Sequence, residues 1–163
     1  MCISIRNGVR GFPRTPFARC RRAWEEEAGV SWAMTRDGGE VLGRIALNGM
    51  NLDDGVAGCS YWVLPAARGA GVAPRALTAL STWALGEAGF HRLHLDHSTR
   101  NHNSCRVALK AGFRLEGTKR SDAVHSDGRH DMHHLHARIR GDEGSLPDRQ
   151  GLLQPVPTPC STV

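Results

Sequence analysis

Apolar and polar residues alternate from Val30 to Thr35, from Glu40 to Leu47 and from Val56 to Leu64, the spacing of strands that bury one face. Asp37-Gly38-Gly39 and Asp53-Asp54-Gly55 separate these runs, and such acid-glycine clusters between apolar runs mark hairpin turns. The pattern predicts a three-strand antiparallel meander and reads Asp53 and Asp54 as turn formers rather than a catalytic carboxylate pair. The period then lengthens. Ala73, Ala76, Leu77, Leu80, Trp83 and Ala84 recur at three- and four-residue spacing, which predicts a helix over Val72 to Leu85 lying on a sheet. Pro74 falls in its first turn, where a missing N–H costs nothing, and Gly89 follows its end.

His91 to His97 returns to strand spacing, and Asn101 to Ala111 is helical and closed by Gly112. Phe113 to Thr118 and His130 to Ile139 are the last two strand patterns. A strand, a helix and a strand in succession form a parallel, right-handed crossover. The fold class is therefore α+β, with one mixed sheet and helices packed against it. Residues 1–29 mix prolines and glycines with arginines and show no sustained period, so they are expected to be an irregular basic leader, with one short helix from Arg21 to Ala28. The domain is expected over 30–140. From Gly141 onward, Pro147, Pro155, Pro157 and Pro159 with scattered polar residues predict a disordered tail over 141–163.

Composition narrows the function classes. The chain of 163 residues fits one domain with a sizeable core. No run of eighteen apolar residues occurs, so no membrane partner is expected. The five cysteines are odd in number and form no Cys-x-x-Cys pair, which suits a reducing cytoplasm. The net charge of +5 is uneven: residues 1–22 hold six arginines and no acid, leaving 15 basic against 16 acidic residues beyond them. The body is near neutral and lacks the basic face of a nucleic-acid binder. The leader also has the arginine-rich, acid-free look of a transit peptide, but its glycines and prolines interrupt any amphipathic helix.

The candidate chemistry begins at Arg68-Gly69-Ala70-Gly71-Val72-Ala73, between a strand pattern and a long helix. Glycines let the backbone approach a ligand closely, and the first N–H groups of a helix have no partners within it, so they can converge on a phosphate. A P-loop is excluded because no lysine follows these glycines. A dinucleotide fingerprint ranks second. Asp96 stands where a ribose-binding acid would, but the glycines follow hairpin strands rather than opening a parallel sheet.

The second constellation is Asn101-His102-Asn103-Ser104 followed by Val107 to Phe113, with Ser104 on the helical stripe of Val107, Ala108 and Ala111. By itself that hydroxyl would simply bond the carbonyl one turn earlier. In this order, Arg-x-x-Gly-x-Ala opening a helix, a strand, and Asn-x-x-Ser on a helix ending in Gly-Phe resemble the GNAT superfamily of acetyl-CoA-dependent N-acetyltransferases. Ser60 to Pro65 and Glu116-Gly117-Thr118 narrow the resemblance to the RimJ/RimL-like branch of ribosomal-protein N-terminal acetyltransferases. It spans Val30 to Ile139.

The resemblance implies a largely antiparallel sheet whose central parallel pair, Val56–Leu64 and His91–His97, splays apart to admit the cosubstrate acetyl-CoA. It also implies that the backbone of Val63 and Leu64 meets the pantetheine arm. The amides of Gly69, Ala70, Gly71, Val72 and Ala73, with Arg68, would hold the pyrophosphate, and Asn101 the pantetheine amide. Ser104 would protonate the departing thiolate, because Ala108 occupies the position where many relatives carry a tyrosine for that task. His97, at the end of its strand, is the candidate general base, because imidazole is the side chain suited to proton exchange near neutral pH. The implied activity is acetyl transfer to a primary amine, a protein N-terminus or a small amine, by direct attack, and a homodimer is compatible with it. Relatives have a strand and usually two helices before the meander, whereas residues 1–29 offer at most one helix. That shortfall motivates the alternative of a catalytically degenerate acetyl-CoA-binding protein. His125, His130, His133, His134 and His136 lack the Cys or Glu-x-x-His pattern of a zinc site, and no metal is expected.

Overall fold

A computed structural model describes residues 3–6, 29–37 and 39–138. Among the described residues, seven strands and two helices follow one another in the order β1 (Ile3–Arg6), β2 (Gly29–Arg36), β3 (Val41–Asn51), β4 (Val56–Val63), α1 (Val72–Gly86), β5 (Arg92–Ser98), α2 (His102–Lys110), β6 (Arg114–His125) and β7 (Gly128–Arg138). They form one sheet of order β1-β2-β3-β4-β5-β7-β6. Neighbours are antiparallel except β4 and β5, which run parallel as the crossover pattern requires.

The meander matches the alternation that predicts it. β2 and β3 pair from Gly29↔Asn48 to Thr35↔Val41, and their turn places Asp37 at φ 47°, with the Gly39 amide donating to the Arg36 carbonyl at 2.9 Å. Asp54 likewise works as a turn residue, its amide and carboxylate both bonded to the Asn51 side chain. Helix α1 buries Val72, Ala73, Ala76, Leu77, Leu80, Ser81 and Ala84, the face its period predicts. Trp83, at the rim of that face, meets Trp32 edge-on with ring centroids 5.6 Å apart. The core joins this face to Ile45, Leu47, Ala57, Leu93, Leu95 and Leu135 of the sheet and to Ala108 and Phe113 at the end of α2. Gly112 closes α2 at φ 86°: its amide donates to Leu109 and that of Phe113 to Ala108, a paired C-cap that turns Phe113 into the core.

Two expectations change. The leader was expected to be irregular, but Ile3–Arg6 adds a strand antiparallel to β2, from Ile3↔Arg36 to Arg6↔Ala33. Four residues are too few for a period to stand out, and backbone pairing at a sheet edge requires none. The sixth strand runs on to His125, well past Thr118, and forms a long hairpin with β7. Most of β6 is exposed, so no apolar alternation marks its second half. The expected Arg21–Ala28 helix and the 141–163 tail lie outside the described residues.

Candidate active site

β4 and β5 pair only at Val56↔Arg92, Ala57↔Leu93 and Gly58↔His94, although the strands continue to Val63 and Ser98. From Cys59 and Leu95 onward they diverge. A cleft of about 510 Å³ occupies the gap, lined by Cys59, Ser60 and Tyr61 of β4, Leu95 to Ser98 of β5, Asn101 just before α2 and Ser104 within it. This is the splayed parallel pair that the resemblance implies.

Strand geometry decides which backbone groups border the gap. Successive N–H groups of a strand point to opposite edges. The Leu64 amide donates to the Leu42 carbonyl of β3 at 2.8 Å, so the Val63 amide points the other way, towards the gap. The Leu64 carbonyl is engaged as well, by the Ala67 amide at 2.9 Å. The Val63 carbonyl accepts from Arg68 Nε at 3.2 Å, which folds that guanidinium back beside the opening.

A single 3₁₀ turn, Pro65–Ala67, joins β4 to the glycine loop. Gly69 and Gly71 adopt φ of 79° and 70°, left-handed values that favour glycine, and a Cβ at either would meet nothing within 4 Å. The glycine turn thus leads directly into α1, whose first N–H groups have no partners within the helix. Gly71 is the N-cap, Val72 and Ala73 begin the helix, and the Arg75 side chain braces the loop by donating to the Ala70 carbonyl at 3.0 Å.

On the opposite wall, Asn101 caps α2, its Oδ1 accepting from the Ser104 amide at 3.0 Å. That leaves its Nδ2 as the side-chain donor. Ser104 does not bond back to a carbonyl of its own helix. Its Oγ lies 2.7 Å from the Tyr61 hydroxyl across the gap. Burial raises the Tyr61 pKa above its ordinary value, against the opposing pull of the Ser104 hydrogen bond, so the phenol stays protonated at neutral pH. His97 is 5% exposed, and its Nδ1 donates to the Ser98 carbonyl at 2.9 Å. That bond sets the tautomer: Nε2 carries the lone pair, and it is buried without a hydrogen-bond partner. Cys59 is buried behind them, and burial pushes its thiol up to about 12.

The structure therefore brings Val63, Asn101, Ser104 and His97 around one gap and puts Arg68 and the Gly69–Ala73 loop at its end. Sequence reasoning missed Tyr61, the only tyrosine of the chain, because nothing in a strand pattern reports what faces it across a splay. It also missed a polar chain beside the cleft. Ser98 Oγ lies 2.8 Å from His130 Nδ1, His130 Nε2 lies 2.9 Å from Asp127, and Arg100 donates to the same Asp127 carboxylate. The hydrogen bond from His130 leads the causes that hold the Asp127 carboxyl below its usual range. Asp96, the ribose-acid candidate of the dinucleotide reading, is instead bonded to Lys119 at 2.8 Å and to His134 at 2.5 Å. His134 and His136 share a sheet face, as their alternation predicts, beside the Glu116 carboxylate that Arg92 also pairs with.

Comparison with known proteins agrees with this geometry. Residues 13–114 match the model of the acetyltransferase (GNAT) domain family. No curated protein sequence matches the chain. Among solved structures, a probable acetyltransferase superposes with a TM-score of 0.72 at 24% identity, covering 78% of this chain and 71% of its own. The ribosomal α-N-protein acetyltransferase RimL, in complex with coenzyme A, superposes at 0.74 with 20% identity, over 79% and 72% of the two chains. The microcin self-immunity acetyltransferase MccE, in complex with acetyl-CoA and AMP, superposes at 0.71 with 19% identity, over 77% and 69%. At these identities the likeness is one of fold, while the family model covers well over half of the chain. With residues 13–114 matching the family model and its central parallel pair splayed, the chain belongs to the GNAT acetyltransferase family.

Proposed function

We propose that the protein transfers an acetyl group from acetyl-CoA to a primary amine, a protein N-terminus or a small amine, in the gap between β4 and β5. The observation that carries this reading is the end of β4–β5 pairing at Gly58↔His94, with the Val63 amide facing the gap and the glycine cradle at its end. The pyrophosphate sits on the amides of Gly69 to Ala73 with Arg68 beside it, and the pantetheine lies along Val63 as an added strand. Asn101 Nδ2 donates to a pantetheine carbonyl. Leu64, whose amide and carbonyl are already bonded, shapes the turn instead.

The unprotonated amine attacks the thioester carbonyl, an amide at the β4 edge stabilises the oxyanion, and the C–S bond breaks as the C–N bond is retained. The proton lost by the amine goes to His97 Nε2 and on to solvent, while Ser104, its oxygen held by Tyr61, relays a proton to the thiolate and recovers it from water in the cleft. No covalent enzyme intermediate is required.

Calorimetric titration with acetyl-CoA tests the binding half. Gly71→Glu fills the open side of the cradle with a side chain of the wrong charge, and it should abolish binding while the protein stays folded. Unchanged affinity in a folded variant overturns the site. Thiol release from acetyl-CoA against a panel of amines and N-terminal peptides tests the transfer half. Tight binding with no release across the panel would favour the catalytically degenerate binder.

A further inference from the structure

We propose that His97, His133 and Cys105 form a binding site for a zinc-class cation between the sheet and α2. His97 and His133 are directly opposed across the β5–β7 ladder, with ring centroids 5.3 Å apart at 83°. Cys105 stands in the first turn of α2, its amide bonded to the Asn101 carbonyl that opens the helix. One ligand atom from each of the three lies within 4.8 Å of the others, the sole group of this kind among the described residues.

A second observation points to a ligand. His97 Nε2 and His133 Nδ1 are both buried with no hydrogen-bond partner, and His97 itself is 5% exposed. Two orphaned imidazole nitrogens in one place are a cost that folded proteins avoid, and a shared cation removes it. The His97 Nδ1 bond to the Ser98 carbonyl has the form that orients metal-binding imidazoles: the outer nitrogen donates to a carbonyl and the inner one presents its lone pair.

The donor set selects the ion. Two imidazoles and a thiolate, with no carboxylate, suit borderline-soft zinc and not magnesium or calcium. Bonds of about 2.0 Å to nitrogen and 2.3 Å to sulfur place tetrahedral ligands roughly 3.3–3.7 Å apart, so the trio closes by no more than about 1.5 Å through side-chain rotation. Binding releases the Cys105 thiol proton to solvent and forms a metal–thiolate bond. The fourth position is left to water or to a molecule in the cleft that His97 also lines. Zinc there would occupy the Nε2 lone pair assigned above to the amine's proton and so inhibit transfer. That consequence, unlike the binding, rests on the proposed function.

Cobalt(II) titration of the metal-free full chain is the test, read by sulfur-to-cobalt charge-transfer absorption and tetrahedral visible bands, with zinc as competitor. One equivalent should bind with a thiolate band. Cys105→Ser should abolish the band, and His133→Asn should weaken binding at least tenfold, both variants keeping the wild-type circular dichroism. No band at micromolar cobalt, or an unchanged band in Cys105→Ser, overturns the site, since the thiolate would then come from another cysteine. If the site binds as described but zinc leaves amine acetylation at its full rate, the metal site stands and the role of His97 as base falls.

Discussion

The Tyr61 hydroxyl and Ser104 Oγ meet at 2.7 Å, linking the strand that borders the gap to the helix that overhangs it. The contact sets a phenol from β4 beside the Ser104 hydroxyl, while Ala108 on the same helix is fully buried in the core. One of the two oxygens donates to the other, so loss of the phenol leaves Ser104 in place but less well oriented.

Ser104→Ala should lower kcat by roughly ten- to a hundredfold with acetyl-CoA affinity within a few-fold, at the modest end for general acid catalysis. A CoA thiol with a pKa near 8.5 leaves partly unaided, which bounds the penalty. Tyr61→Phe should cost only about three- to tenfold, and the double variant should be no slower than Ser104→Ala, because the two act as one unit. Steady-state kinetics of all three variants checks this, and multiplicative losses would show that Tyr61 and Ser104 work independently.

The legible parts of this molecule are those in which a side-chain period reports burial. The meander, the α1 stripe and the turn at Asp37 each repeat a local rule over several residues. The glycine loop was legible because its positive φ values favour glycine itself. The edge strand Ile3–Arg6 and the exposed far half of β6 were not, since both are held by backbone pairing that leaves no side-chain code. Tyr61, Ser98 and Cys105 acquire their partners only through the divergence of β4 from β5 and the placement of α2, which are tertiary facts.

Gly43 tests how tightly β3 holds β4. A Cβ there would lie 2.3 Å from the Trp62 carbonyl oxygen and 3.0 Å from Val63 Cα, both backbone, and 2.7 Å from the Met34 methyl. The two strands must part for Gly43→Ala to fit. Overpacking of this kind costs about 1–3 kcal/mol, and the upper end is expected because backbone cannot rotate away. Urea unfolding reads the loss, and a stability within about 0.5 kcal/mol of wild type would contradict the packing.

Cys59 should be chemically silent. With its thiol pushed up to about 12 by burial, only about one molecule in ten thousand carries the thiolate at pH 8. Iodoacetamide labelling of the native protein, resolved by peptide mass spectrometry, should modify Cys59 at least a thousandfold more slowly than in the denatured chain. Comparable rates in the two states would place Cys59 at the surface.

His94 and His136 carry a stability signature in mild acid. Burial leads the causes that lower both pKa values, assisted by Arg92, while Asp96 pulls His94 and Glu116 pulls His136 the other way. His134 and Lys119 add further positive charge facing His94. Because the folded pKa lies below the unfolded one, the unfolded chain binds more protons in the window between them, so stability is full above about pH 6.5 and declines as pH falls below it. The double variant His94→Gln/His136→Gln should flatten the fall of melting temperature between pH 6.5 and 5. An equally steep fall would assign it to other groups.

The edge strand gives the last test. Ile3 to Arg6 pairs with Arg36 to Ala33 of β2, so removing residues 1–6 leaves that edge of β2 with unpaired amides and carbonyls. Each ladder bond contributes about 1 kcal/mol net, offset by the entropy of ordering four residues, so the melting temperature should fall by only roughly 2–6 °C. The larger consequence is colloidal, since an uncovered edge is a template for pairing with a second copy. Light scattering of the truncated protein should therefore show stronger concentration-dependent association than the full chain at the same concentration. An unchanged melting temperature together with an unchanged scattering profile would mean that β1 does not cover β2 in solution.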